Sequence, residues 1–325
     1  MRFRFYVCTV LSWAVWSATP AIAAAYKPAS NGQVLERLPF KPSDPVAREV
    51  GQLRGELQRN PQNRDVAVRL ARRYYGMVAE EGDPRYLGYA QAALAPWWEL
   101  ATPPSDVQMI RASLRQFQHD FPGALSDLSQ VLEREPQNVR ARTLRAIIHI
   151  VQARYDQART DCQALRGTSE LLGLGCESAV DGLTGKAAQA FPRLQASLDA
   201  HPQASSDEKL WILLRLSELA QRRGQSAVAE ERLKLALTLG NTDTFLLAAY
   251  ADLLLELNRP AEVVALLKEK VRSDGLLLRL AFAERSLNLP AAAEHEAALA
   301  ARYAAAQLRG DTVHQQEEAR FELQA

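Results

Sequence analysis

SDVQMIRASLRQFQHDFPGALSDLSQVL at residues 105–132 is followed by EREPQNVRARTLRAIIHIVQARYDQARTDCQAL at residues 133–165, and the two segments superpose at a constant offset. The matched pairs are Phe121 with Tyr155, Ala124 with Ala158, Leu128 with Cys162, and Val131 with Leu165. A period of about 34 residues predicts a stack of paired antiparallel helices, because one pair cannot bury its apolar face alone.

The same period returns later in the chain. LLRLSELAQRRGQSAVAEERLKLAL (residues 213–237) superposes on LLAAYADLLLELNRPAEVVALLKEKV (residues 246–271), and NLPAAAEHEAALAARY (residues 288–303) repeats the turn and helix of the latter. The chain therefore resembles the tetratricopeptide-repeat (TPR) family over nearly all its mature length. This resemblance implies an all-α, right-handed superhelical solenoid of antiparallel helix pairs.

The resemblance is carried by the second helix of each repeat and is weaker in the first. Small and apolar residues stand at Ala124-Leu125 and at Ala158, and Pro136 closes the repeat. In the first helix, however, Gln108, Arg111 and Ala112 occupy the places of the family's Trp, Leu and Gly. RRGQ (residues 222–225) and the scattered arginines are expected to lie on solvated helix faces, paired with nearby glutamates.

Composition supports the helical prediction. The 325 residues are 47% hydrophobic and 7% aromatic, and the strong helix formers Ala, Leu, Arg, Gln and Glu dominate. Runs in which Val, Ile and Thr alternate with polar residues are nearly absent, so little indicates strands.

The N-terminal segment has the three regions of a secretory signal peptide. Arg2 and Arg4 form a basic region, an apolar run follows, and Ala21-Ile22-Ala23 is a small-residue cleavage site. We expect cleavage after Ala23 and a periplasmic or secreted chain with no integral membrane segment. Cleavage leaves 37 basic and 38 acidic side chains, which gives no electrostatic reason to expect nucleic acid.

The predicted organisation has four parts. Residues 1–23 are the signal peptide, and residues 24–60 are an extended lead-in with a first helix. Residues 61–310 form about six to seven repeats, some of them degenerate. Residues 311–325 form a C-terminal helix, which is either a cap or the first helix of a missing repeat.

Cys162 and Cys176 stand at about equal distances from the turn centred near residue 169. In an antiparallel helix pair, residues equidistant from the turn face each other, so the sequence predicts a structural disulfide in an oxidising compartment. Free buried thiols and a catalytic pair are the alternatives, the latter usually spaced as Cys-x-x-Cys.

Motifs for catalysis and metal binding are missing from the sequence. There is no Gly-x-Ser-x-Gly, no phosphate-binding glycine loop and no His-Glu-x-x-His. Ser206 to Lys209 matches Ser-x-x-Lys, but Ser205-x-x-Glu208 is better explained as a capping box that opens a helix. Glu294-His295-Glu296 is expected to be a solvated charge cluster. We therefore predict neither an enzyme nor a metal or cofactor site.

The first repeat, taken from Arg64 to Pro104, exceeds the period by seven residues, in Glu80–Asp83 and in APWWELATPP. In GDPRYLGYAQAALAPWWEL (residues 82–100), the aromatic residues and Ala90, Ala93 and Leu94 recur at helical spacing, which indicates packing. Trp98 faces away from this stripe and is an alternative ligand contact, and Pro96 should end or kink the helix.

We expect the chain to be an interaction scaffold that binds a protein or peptide in its concave groove. By the usual TPR register the groove is lined by Arg72, Tyr75, Met109, Gln116, Arg140, Trp211, Glu218 and Phe245, together with Asp65, Asp106, Ile147 and Asp252. Mixed aromatic, apolar and charged residues suit an extended peptide. The alternative is an accessory enzyme or a metal- or glycan-handling factor with a site in residues 76–104.

Overall fold

The computed structural model describes residues 44–240, 243–309 and 315–324. The predicted signal peptide and most of the lead-in lie outside these residues. Within them the chain forms seventeen helices and no strand. The helices are α1 (Pro45–Arg59), α2 (Arg64–Glu81), α3 (Arg85–Ala93), α4 (Ala95–Trp98), α5 (Ser105–Phe117), α6 (Phe121–Arg134), α7 (Val139–Val151), α8 (Tyr155–Arg166), α9 (Glu170–Leu183), α10 (Ala187–Ala200), α11 (Ser206–Arg222), α12 (Ser226–Leu237), α13 (Thr244–Glu256), α14 (Pro260–Leu267), α15 (Asp274–Ser286), α16 (Ala291–Arg309) and α17 (Gln315–Gln324).

The described residues from Arg48 onward form one compact unit of stacked helix pairs. Of residues 1–47, the structure describes only the last four, where the Asp44 carboxylate accepts a hydrogen bond from the Val46 N–H. From α2 to α16, consecutive helices pack as seven pairs, with the short α4 inserted after α3. The first helices of neighbouring pairs also contact one another, as α5, α7, α9 and α11 do. The all-α, paired-helix fold predicted from the repeat period is confirmed.

The turns inside the pairs repeat at the level of the backbone. His119 and Ala153, one repeat period apart, both have positive φ angles, of 61° and 56°. Gly224 and Asn258 have the same spacing, with φ angles of 68° and 56°. Two helices can be joined by so few residues because one residue enters the left-handed region and reverses the chain. The sequence period is therefore also a period of turn geometry.

Several helices begin at side-chain caps. Asn63, Asn138 and Ser169 each accept a hydrogen bond from a backbone N–H of the first turn. Ser205 and Glu208 form the predicted capping box at the start of α11. Each such cap satisfies a backbone donor that has no partner within the helix.

Buried ion pairs replace apolar contacts in the second and third helix pairs. The Arg111 guanidinium donates two hydrogen bonds to the Asp127 carboxylate, at 2.6 and 3.0 Å, and Arg145 binds Asp161 at 2.6 and 2.9 Å. Arg111 and Asp127 are 3% and 1% exposed. The second ion pair lies one repeat period after the first, and Arg111 holds the place of the family's Leu. The expectation that the arginines lie on solvated faces is wrong here, because an aspartate on the paired helix neutralises the buried charge.

The cluster Glu294-His295-Glu296 is also less exposed than expected. The Nδ1 atom of His295 lies 2.7 Å from the carboxylate of Glu284, which is buried in α15. Glu296 forms an ion pair with Arg285 at 3.3 Å. The cluster therefore joins α16 to α15, and the prediction of a solvated cluster is wrong for its inner members.

A disulfide joins the third and fourth helix pairs. Cys162 on α8 and Cys176 on α9 are bonded, with their Cα atoms 5.3 Å apart. Both are buried among Ala146 and Leu165, with Trp211 packed against the cluster. The predicted disulfide is present in the structure, and it bridges two successive pairs of the stack.

The end of α2 also contacts helices far along the chain. The Thr244 hydroxyl donates to the Ala79 carbonyl at 3.0 Å, and the Arg272 guanidinium donates to the Glu81 carboxylate at 2.8 Å. These partners are separated by 165 and 191 residues. The first helix pair therefore contacts the last two pairs, an arrangement that the repeat pattern did not predict.

Candidate functional site

A pocket lies along the first helices of the first three pairs. It encloses about 540 Å³ and is lined by α2, α5, α7 and the residues before α7. Its position is the side of the stack on which a groove was predicted.

Successive repeats supply equivalent residues to this pocket. Residue 106 corresponds to residue 140, residue 110 to residue 144, and residue 113 to residue 147, each one repeat period later. Since α5 and α7 lie side by side, equivalent positions on both helices face the same space. The apolar part of the lining comes from Met109, Ile110, Leu144 and Ile147, with the ring of Tyr75 from α2.

The two carboxylates of the pocket are satisfied by neighbouring groups. Asp106 accepts a hydrogen bond from the Val107 N–H at 2.9 Å and forms an ion pair with Arg64 at 3.4 Å. Hydrogen bonds from the side chains of Ser105 and Asn138 hold the pKa of Glu135 below its usual value. The Asp106 carboxylate is therefore already paired, and the Glu135 carboxylate remains charged near neutral pH.

The two arginines of the pocket differ from these carboxylates. Arg72 and Arg140 are exposed, and neither forms an ion pair with any residue that the structure describes. Tyr75 is half-buried, and burial raises the pKa of its phenol, so its hydroxyl stays protonated. An apolar floor with two available guanidinium groups can hold an apolar side chain and a neighbouring carboxylate.

Comparison with known proteins agrees with the repeat pattern. Residues 118–166, which cover α6, α7 and α8, match the family described as tetratricopeptide repeat. Over these residues the chain is similar to tetratricopeptide-repeat (TPR) proteins. No curated protein matches it in sequence.

One solved structure with a TM-score above 0.5 shares the paired-helix fold at low sequence identity. A tetratricopeptide repeat protein from Parabacteroides merdae ATCC 43184 is 14% identical, with 73% of this chain and 92% of that chain covered and a TM-score of 0.54. Yeast Tom70 is 13% identical, with 88% and 70% covered and a TM-score of 0.48. The APC/C hetero-tetramer Cut9-Hcn1 is 14% identical, with 85% and 52% covered and a TM-score of 0.48. At 14% sequence identity, the Parabacteroides merdae structure is evidence for a similar fold and not for a similar function.

The predicted groove residues fall into two groups. The pocket brings together four of the eight, namely Arg72, Tyr75, Met109 and Arg140, and it also contains Asp106 and Ile147. The other four, Gln116, Trp211, Glu218 and Phe245, do not line it. Among the described residues, this pocket therefore contains predicted groove residues from the first three pairs only.

The four outlying residues have different surroundings. Gln116 is half-buried near the end of α5. Trp211 packs against α9, where a Cβ atom added at Gly175 would lie 2.6 Å from the indole ring. Glu218 pairs with Arg215 at 2.6 Å, and burial raises the pKa of its carboxyl.

Phe245 is 61% exposed at the start of α13. Two other residues that the register assigned to the groove are tied by ion pairs: Asp252 binds Arg279 at 2.6 Å, and Asp65 lies 3.9 Å from Arg64. Neither lines the pocket.

The aromatic stretch at residues 82–100 is mostly packing. Tyr86, Ala90 and Leu94 are buried, and the ring of Tyr86 stacks on that of Tyr74 with 6.1 Å between centroids. Tyr89, in contrast, is 52% exposed.

The helix ends shortly before Pro96, as predicted: α3 ends at Ala93, and Pro96 is the second residue of α4. Trp98, which was singled out as a possible ligand contact, is half-buried, and the Arg115 guanidinium lies 6.0 Å from its ring centroid. Among the described residues, no group of three or more His, Cys, Asp or Glu side chains could hold a metal ion.

Sequence reasoning missed the polar rim of the pocket. Ser105, Glu135 and Asn138 were not predicted as site residues, although the repeat offset aligns the starts of α5 and α7. An alignment of the starts of α5 and α7 would have indicated that their first turns, and the residues before them, lie at the same edge of the pocket. No helix among the described residues is long and apolar enough to cross a membrane.

Proposed function

We propose that this TPR protein is an exported scaffold that binds an extended segment of a partner protein along the first helices of its repeats. TPR proteins bind protein partners, and their fold is usually not enzymatic. The observation that carries the proposal is the pocket of α2, α5 and α7, in which equivalent repeat positions combine an apolar floor with two arginines that have no ion pair among the described residues.

The chemistry of the pocket suggests which segment binds. An apolar side chain would fill the space between Met109, Leu144 and Ile147, and a carboxylate nearby on the same segment would accept hydrogen bonds from Arg72 or Arg140. Asp106 and Glu135 at the rim are already satisfied by neighbouring groups, so the available charge of the pocket is positive. We therefore expect peptides that contain an apolar residue flanked by Asp or Glu.

A display library of random peptides tests this function. Peptides selected on the wild-type chain should be enriched in the acidic–apolar pattern, and Arg72→Glu with Arg140→Glu should weaken their binding at least about tenfold. Arg154→Glu is the matched control, because Arg154 is exposed, has no ion pair among the described residues and does not line the pocket. Selection of peptides without acidic residues, or equal loss in the control, would contradict the proposal.

Thermal unfolding in the presence of divalent metals and soluble glycans tests the alternative function. A ligand that binds only the folded chain raises the midpoint with concentration. Stabilisation by a metal or a glycan, and none by the selected peptides, would favour the alternative site in residues 76–104.

Export is part of the same proposal. It is supported by the basic, apolar and small-residue regions of residues 1–23 and by a pair of cysteines suited to an oxidising compartment. The N-terminal sequence of protein isolated from the cell envelope should begin after Ala23. A chain that still begins at Met1 in that fraction would contradict export.

A further inference from the structure

The contact between the first and the last two helix pairs is closely packed. Besides its hydrogen bond to Glu81, Arg272 lies 3.5 Å from the Asp83 carboxylate. Asp83 and Ser273 are only 7% and 6% exposed. We call this contact the latch: residues 79–83 on one side, and Thr244 with residues 271–274 on the other.

Gly82 lies at the centre of the latch. Its φ angle of 68° ends α2, and its N–H donates to the Val78 carbonyl at 2.7 Å. A Cβ atom added at Gly82 would lie 2.4 Å from the Ser273 hydroxyl oxygen and 3.1 Å from the Ser273 Cα. The two backbones approach so closely that the position admits glycine alone without movement of one segment.

One side of the latch is built mostly from residues in excess of the repeat period. Residues 80–83 belong to the seven-residue excess of the first repeat. In a repeat array each unit otherwise contacts only its neighbours, so stability and motion pass from pair to pair. This insertion gives the first pair a second, direct connection to the last two pairs.

The helix that enters the latch is also a wall of the pocket. Arg72 and Tyr75 lie on α2, and Tyr75 precedes Ala79 by about one helical turn. We propose that the latch couples this wall to the C-terminal pairs: when it opens, the end of α2 is released and the pocket loses its fixed wall. Only one consequence of this inference rests on the proposed function. If closing the latch strengthens ligand binding in the pocket, ligand binding must favour the closed latch by the same free energy.

Hydrogen exchange on the ligand-free, disulfide-bonded chain tests the latch independently of any partner. Gly82→Ala should increase exchange at least about tenfold in residues 72–86 and, together with it, in residues 271–277. Gly224→Ala is the matched control, since Gly224 has the same φ angle of 68° but no atom within 4 Å of its added Cβ. It should affect only the turn between α11 and α12.

The outcome of this pair of variants is decisive. If Gly82→Ala increases exchange in residues 79–86 but leaves residues 271–277 unchanged, the two segments are not coupled and the latch is wrong. If exchange in residues 72–78 stays at the wild-type rate while both latch segments open, the coupling to the pocket wall is wrong. Unchanged exchange in α7 and α8 shows that the variant is folded.

Charge reversal gives a second test that does not depend on glycine geometry. Arg272→Glu places a third carboxylate beside Glu81 and Asp83 and should open the latch, whereas Arg272→Glu combined with Glu81→Arg should restore most of the protection. Lys268→Glu, an equal charge change at an exposed residue nearby, should have no effect. Failure of the second substitution to restore protection would overturn the proposed ion-pair contact.

Discussion

Between α5 and α8, paired helices are held by buried arginine–aspartate contacts, whereas between α11 and α16 they are held by leucine side chains. In the first region the apolar cluster around Leu128 and Ile148 is small, and the ion pairs Arg111–Asp127 and Arg145–Asp161 lie beside it. In the second region one continuous apolar cluster extends from α9 to α17. The same helix-pair stack is therefore stabilised in two chemically different ways.

The difference concerns how strictly each contact fixes the alignment of two helices. A guanidinium and a carboxylate bond only in defined geometry, so Arg111 and Arg145 allow one register between the paired helices. Leucine side chains repack with small adjustments and tolerate shifts better. The ionic region should thus be sensitive to loss of one partner, and the leucine region to loss of volume.

Removal of the Asp127 carboxylate should give the largest effect. Asp127→Ala leaves the buried Arg111 without a counterion and also removes the acceptor of Arg115 and Gln108, so we expect a loss of about 3–5 kcal/mol in unfolding free energy. Urea denaturation followed by circular dichroism measures it. Asp127→Leu combined with Arg111→Met should cost clearly less unfolding free energy than Asp127→Ala. An equal or larger loss would show that the ion pair stabilises the fold more than apolar side chains in its place do.

The junction of the two regions gives the next test. Trp211 packs against both the leucine cluster and the disulfide cluster, so Trp211→Ala should cost about 3–4 kcal/mol of stability. Phe245→Ala is the control, because that ring is 61% exposed and its removal should change stability little. A variant at Trp211 that keeps the wild-type denaturation midpoint but loses peptide binding would instead make this residue a binding anchor.

The disulfide reinforces the boundary between the regions. Replacement of Cys162 and Cys176 by Ala removes a link across about 14 residues, and we expect a loss of about 3 kcal/mol. The wild-type chain should lose a similar amount in reductant, and the double variant should not respond to reductant. Two alkylated thiols in natively prepared protein would contradict the bond.

A smaller effect should appear as a pH dependence in the leucine region. Hydrogen bonds from Arg259 and Lys234 lower the pKa of Glu230 from 4.5 to about 2. A carboxyl whose pKa is lower in the folded chain stabilises it above its unfolded pKa, and this contribution disappears as the pH falls from about 4.5 to 2. Glu230→Gln should reduce the loss of stability over that interval, whereas Glu231→Gln should not.

The sequence predicted those features that depend on local period. The repeat offset predicted the helix pairs, the capping box at Ser205 was readable from spacing, and the symmetric positions of Cys162 and Cys176 about one turn predicted their bond. The buried ion pairs were overlooked, although Arg111 and Arg145, like Asp127 and Asp161, repeat at the same period. A charged residue was assumed to face solvent when its partner lay on the paired helix.

Features that depend on the angle between helices could not be predicted. Four of the eight predicted groove residues line one pocket on the first three pairs, and their role in binding stays a prediction. On α9, Gly175 allows close approach of α11, and Trp211 packs between pairs and does not line this pocket. The latch depends on small rotations summed over all pairs, which no local pattern of residues encodes.

The disulfide also has a consequence for a chain under mechanical load. When a protein is pulled from its ends, residues enclosed by a covalent link do not lengthen with the rest. The bond between Cys162 and Cys176 encloses a separation of 14 residues and itself spans 5.3 Å between Cα atoms, so the extended chain would be shorter by roughly 40–45 Å, at about 3.3–3.6 Å for each residue. Because a covalent bond joins α8 to α9, pulling on the chain ends cannot separate these two helices. Mechanical unfolding must therefore begin in the helices before α8 or after α9.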